Sequence, residues 1–109
     1  MANTFKLKTK ANGGVSTVGI YTAPAATTTV VIGITLSNTS GSGVNVGVGI
    51  TRAGTTEDVK LLKNAPIPQG SSLEFMGGNK VVLETTDTLT VDSDTNNSVD
   101  AALTIMEIT

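Results

Sequence analysis

The sequence has 109 residues, of which 39% are hydrophobic and 15% charged, with a formal net charge of −2; this suits one folded domain with a thin core, and not a disordered chain. It contains no cysteine and no histidine, which excludes disulfide frameworks, thiol nucleophiles, zinc-finger ligand sets and histidine-based triads. The negative charge argues against non-specific nucleic-acid binding, and one tyrosine, two phenylalanines and no tryptophan leave little for the stacking platforms of sugar or single-strand binders.

Period-two alternation runs through the chain. Residues 4–10 read as a first strand, with Lys6, Lys8 and Lys10 on one face and Phe5 and Leu7 on the other. Asn12-Gly13 is a tight-turn signal that predicts a hairpin to a second strand over residues 15–21. Residues 1–11 have two readings: an edge strand of the domain's own sheet, or an arm that adds to a neighbour's sheet. No apolar stretch has the length of a signal peptide or a membrane span, so a protein kept in the cytoplasm and off membranes is expected.

Val30, Ile32, Ile34 and Leu36 alternate with Val31, Gly33 and Thr35, and Val44, Val46, Val48 and Ile50 alternate with Asn45, Gly47, Gly49 and Thr51. Both runs read as strands with one face in a core. The Asn38-Thr39-Ser40-Gly41-Ser42-Gly43 segment between them reads as a hairpin loop. Gly47 and Gly49 mark either a curved or bulged strand with an exposed glycine face, or a face against which a neighbouring subunit lies flat.

Thr55-Thr56-Glu57-Asp58 has the form of a helix capping box, but the apolar run after it, residues 59–63, is too short for a stable helix and a strand is preferred. Ala65-Pro66-Ile67-Pro68-Gln69-Gly70 is then a stiff extended connector that crosses between sheets. Leu73 and Phe75 mark a strand ending at Gly77-Gly78-Asn79. Val81 and Leu83 mark the next strand, and a turn at Thr85-Thr86-Asp87 leads into Leu89 and Val91. The last strand covers residues 99–108, with Val99, Ala101, Leu103 and Ile105 on its inner face. The spacing predicts an all-β fold: an antiparallel two-sheet sandwich, or a jelly-roll or Ig-like barrel, of about eight strands in a single domain over residues 1–109. The expected core is Val30, Ile32, Ile34, Val46, Val48, Leu73, Leu83, Leu89, Leu103 and Ile105.

Chemistry-bearing motifs are sparse. Asp92, Asp94 and Asn96, with Asp100 further on, resemble the start of a calcium loop, but Asn97 and Leu103 stand where glycine and a bidentate acid belong; a polar loop is the simpler reading. Glu57, Asp58, Glu74, Glu84 and Asp87 read as solvated surface acids, not a paired-carboxylate site. No phosphate-binding loop precedes a helix. No catalytic residue, metal site or cofactor is therefore expected.

Charge is unevenly spread. Up to Thr56 the charged residues are Lys6, Lys8, Lys10 and Arg52; after Lys80 they are Glu84, Asp87, Asp92, Asp94, Asp100 and Glu107. Either this asymmetry orients copies of the protein or seats it on an acidic partner, or the two halves interleave and the charges mix.

Several segments together resemble small virion proteins of tailed bacteriophages, largely those of marine bacteria and cyanobacteria. They are Tyr21-Thr22-Ala23-Pro24-Ala25, then Thr27-Thr28-Thr29 running into Val30-Val31-Ile32-Gly33-Ile34, and Leu36-Ser37-Asn38-Thr39-Ser40. The proline connector, residues 77–84 and the ending Leu103-Thr104-Ile105-Met106-Glu107-Ile108-Thr109 carry the likeness to the end. The resemblance implies a structural component of a virion assembled in the host cytoplasm, with no catalytic residues to carry over. Capsid decoration (cement) is the first role expected, a neck, collar or tail component the second, and a host-surface or glycan-binding module the third. The expected partners are its own copies, most simply in a trimer, and other virion proteins such as the major capsid protein. The contact candidates are Phe5, Lys6, Leu7, Lys8, Lys10, Gly47 and Gly49.

Overall fold

The computed structural model describes residues 3–52, 57–75 and 80–109, with the backbone alone for Phe75. The described residues form nine strands: β1 (Asn3–Gly13), β2 (Val18–Thr22), β3 (Thr28–Asn38), β4 (Val44–Arg52), β5 (Glu57–Ile67), β6 (Ser72–Phe75), β7 (Val81–Leu83), β8 (Asp87–Ser93) and β9 (Val99–Ile108). β-branched residues dominate these runs, and such side chains pack well on a pleated surface. The strands make two antiparallel sheets, ordered β1-β9-β3-β6 with β7 also on β3, and β2-β8-β4-β5. β6 pairs with Ile34 to Ser37 of β3 and β7 with Thr29 to Val31, so the two short strands lie end to end in the place of one. That yields the eight-strand arrangement of a jelly-roll sandwich.

Successive strands mostly change sheet, and this corrects two expectations. Asn12-Gly13 does not close a hairpin: β1 pairs with β9 and β2 with β8. Asn12 does take a left-handed backbone, φ 58°, but it lies where the β1–β9 register shifts between Lys10 and Gly13, so its turn chemistry forms a bulge at the corner between sheets. Residues 39–43 are likewise an arch from one sheet to the other. Asn38, 4% exposed, organises it: its Nδ2 donates to the carbonyls of Ser42 and Ile67 at 2.8 and 2.9 Å, and its Oδ1 accepts from the N–H and the hydroxyl of Ser40. The strand preferred over a helix after Glu57 is β5, with Thr55 and Thr56 outside the described residues. Pro66 lies in β5, an edge strand, where its missing N–H costs the ladder nothing, and the chain then crosses to the first sheet. The strand expected to end at Gly77-Gly78-Asn79 is β6; those three residues lie outside the described ones.

The core lies between the sheets and includes Val31, Ile34, Leu36, Val46, Val48, Leu83, Leu89, Leu103 and Ile105. Val30 and Ile32, expected inside, are only partly buried and give way to Thr29 and Val31. The cause is a bulge: the β3–β9 register shifts between Val31 and Gly33, and one extra residue moves everything before it to the opposite face. Leu73 packs against the core but is half-buried. Buried polar residues gather at the two ends of the sandwich, Thr29, Asp87 and Glu107 at one and Asn38, Ser93 and Ser98 at the other.

Candidate interaction surface

β1 is the edge of the first sheet, and its apolar residues face solvent while its lysines face the core side. A residue and its antiparallel partner point to the same side of a sheet. Phe5 and Leu7 pair with Met106 and Thr104, outside, while Lys6, Lys8 and Lys10 pair with Ile105, Leu103 and Ala101, whose side chains enter the core. Phe5 is 69% and Leu7 65% exposed. Here the strand follows its own alternation but is held by polar contacts on its inner side. Lys6 Nζ lies 2.8 Å from Glu107 Oε1, and Tyr21 donates from its hydroxyl to Glu107 Oε2 at 2.6 Å. The Tyr21 oxygen also lies 2.7 Å from the Thr29 hydroxyl. One buried carboxylate thus joins β1, β9, β2 and β3.

The network leaves its mark on both acids. The hydrogen bond from Lys6, then that from Tyr21, hold the Glu107 carboxyl below its usual range. Burial, then the bond to Glu107, push the Tyr21 hydroxyl up to about 12. Sequence reasoning missed this cluster, although Glu107 continues the inward period of Leu103 and Ile105.

Most of the charge asymmetry resolves inside the chain. Arg52 pairs with Glu84 and, at 3.2 Å, with Asp87; Lys60 lies 3.7 Å from Asp92. The basic first half and acidic last third interleave because the jelly-roll order sets β1 beside β9 and β4 beside β8. Asp87, expected on the surface, is buried, and its Oδ2 accepts the Glu84 N–H at 2.9 Å. The glycine face is filled from within as well. A side chain on Gly47 would meet Asp92 Oδ1 at 2.5 Å, and one on Gly49 the Val59 carbonyl at 2.9 Å. Both glycines are buried and allow the twice-bulged β5 to close on β4.

The polar side chains of the calcium-like segment are engaged by neighbouring backbone and hydroxyl groups, three of them at the corner between β1 and β2 and one at β4. Asp92 accepts from the Thr17 hydroxyl, Asp94 from the Asn45 N–H, Asn96 from the Val15 N–H and Asp100 from the Asn12 N–H. Among the described residues no three His, Cys, Asp or Glu side chains gather as metal ligands. Of the aromatic residues, Tyr21 is buried and cannot serve as a stacking platform.

No protein-family model matches the chain, and no curated protein does. Two solved structures share the fold. One is of Bacillus endospore appendages, a family of disulfide-linked pili: TM-score 0.57, 15% identity, over 99% of this chain and 87% of that one. The other is of infectious bursal disease virus, Gx strain: TM-score 0.52, 12% identity, over 98% of this chain but 33% of the viral one. At such identities the likeness is one of fold. This chain is an all-β, two-sheet sandwich of the kind found in a pilus and in a virus.

Proposed function

We propose that the chain is a non-enzymatic structural component of a tailed-phage virion, most simply a capsid decoration protein that binds the shell and its own copies. The observation that carries this reading is β1, an edge strand held by the ion pair of Lys6 with the buried Glu107 while it turns Phe5 and Leu7 to solvent. A protein that remained alone would gain nothing from that orientation, whereas an assembling protein covers those side chains on contact. The fold is shared with proteins of a pilus and a virus particle. The sequence resemblance to small phage virion proteins points to the same class. The chain has no cysteine, so no disulfide joins its copies, whereas those pili are disulfide-linked. Quantitative mass spectrometry of gradient-purified particles from the phage that encodes the chain tests the reading. Copies in fixed ratio to the major capsid protein are expected. A single ring's worth of copies would move the protein to the neck or tail, and absence from particles would overturn the proposal.

A further inference from the structure

We infer that the outer face of the first sheet docks a second copy of this chain, face to face, about a two-fold axis along β9. The outer faces of a two-layer sandwich normally carry polar side chains. On this one Phe5 lies beside Met106, Met106 beside Val30, and Val30 beside Val82, one apolar row across four strands. Val82 is 54% exposed. The next row is Leu7, Thr104 and Gly33, and beyond it lie Thr9, Ala102 and Thr35. None of these residues is charged; the third row ends at Glu74, beside Thr35, and Asp100 follows in the next.

The relief of the face selects its occupant. Leu7 stands out on one side of Thr104. On the other side Gly33 leaves a gap: a Cβ there would meet no atom within 4 Å. A hollow of about 330 Å³ opens over it, bordered by Ile32, Thr35, Glu74, Ala102 and Thr104. The projecting side chain and the hollow lie one strand to either side of β9, in the same row. An axis along β9 through Thr104 exchanges them. Leu7 of each copy then faces Gly33 of the other, Phe5 faces Val30, and Met106 and Thr104 face their own counterparts. Every contact is reciprocated, as an isologous interface requires. The two rows about Thr104 carry no charge, so no like charge opposes a copy there; the carboxylates of this face, Glu74 and Asp100, lie in the rows beyond. Strands β1, β9 and β3, of 11, 10 and 11 residues, overlap about this axis, an area on the scale of the roughly 800 Å² per partner of a stable interface. Stacked sheets pack about 10 Å apart with strands within about 30° of each other, which suits an axis along a strand. This pairing goes beyond the virion role and does not depend on it. It yields a dimer, or even-numbered assemblies, in place of the trimer expected from composition.

Sedimentation equilibrium on the full chain tests it, with circular dichroism to confirm the fold of each variant. The unaltered chain is expected to be dimeric. Gly33→Leu, whose Cβ meets no atom within 4 Å, puts a bulky side chain at the hollow and is expected to weaken the dimer at least about tenfold; Phe5→Ser with Leu7→Ser is expected to do the same. Val15→Ser, exposed but outside the face, is expected to leave it unchanged. Because the chain has no cysteine, Thr104→Cys places a single thiol at the axis, and a short bismaleimide is expected to join two copies through it but not through Thr51→Cys on the other sheet. A monomer at the highest concentration, a trimer, a dimer indifferent to the Phe5 and Leu7 substitutions, or preferential linkage through Thr51→Cys would each overturn the proposal. If Gly33→Leu fails to fold, the Phe5–Leu7 variant and the cross-link still decide.

Discussion

Single side chains at the two ends of the sandwich hold its layers together. Asn38 satisfies the Ile67 carbonyl inside the protein and shapes the arch with the same amide. Asn38→Ala removes these buried hydrogen bonds of the arch together and is expected to cost about 1–3 kcal/mol in urea unfolding; Ser40→Ala, which keeps the amide contacts, should cost less. At the other end, Glu107 and Tyr21 give stability a predictable pH dependence. Glu107 has a lowered pKa, so its contribution is complete above the usual carboxylate range and is lost as pH falls through the lowered value. Tyr21 has a raised pKa, so its contribution is complete below 10 and is lost as pH rises towards about 12. Glu107→Gln is expected to flatten the acid limb of a thermal-stability profile, and Tyr21→Phe the alkaline limb above pH 10. An unchanged acid limb in Glu107→Gln would show that the carboxylate does not hold β1.

Among the elements, β3 shows how far sequence patterning carries. Its existence and extent were legible in the run of alternating Val and Ile, as was the inward face of β9 from Val99 to Ile105. The phase of β3 before Gly33 was not, because both alternating sets there are apolar or β-branched and one bulged residue decides between them. A direct check follows. Val31→Ala is expected to destabilise the monomer by about 2 kcal/mol, and Val30→Ala by well under half of that; the reverse order would remove the bulge. In β1 the alternation of Lys with Phe and Leu was plain, but which set faces the core was not. That choice depends on Glu107, a hundred residues away, which gives Lys6 a partner inside. Lys6→Ala should therefore speed amide exchange along β1 while the β3–β9 pairing stays protected.

At the scale of the whole molecule, the fold class was legible and the connectivity was not. Local turn signals such as Asn12-Gly13 and residues 38–43 describe how the backbone bends, and an arch between sheets uses the same residues as a hairpin. What separates the two is long-range pairing, such as Asn3 with Ile108, which no local window contains. The same feature puts the two halves of opposite charge side by side, so the asymmetry seen along the chain becomes internal ion pairs. The row left open on the first sheet is apolar, and it was missed because its members, Phe5, Met106, Val30 and Val82, come from four separate strands. The central claim is that this face is built for assembly. Electron cryomicroscopy of the particle, at a resolution that traces strands, tests it most directly. The account predicts sandwich-shaped density on the shell, about 45 × 27 × 22 Å per copy, with the face bearing Phe5 and Leu7 covered by another copy. Density in which that face stands open to solvent on every copy would contradict it.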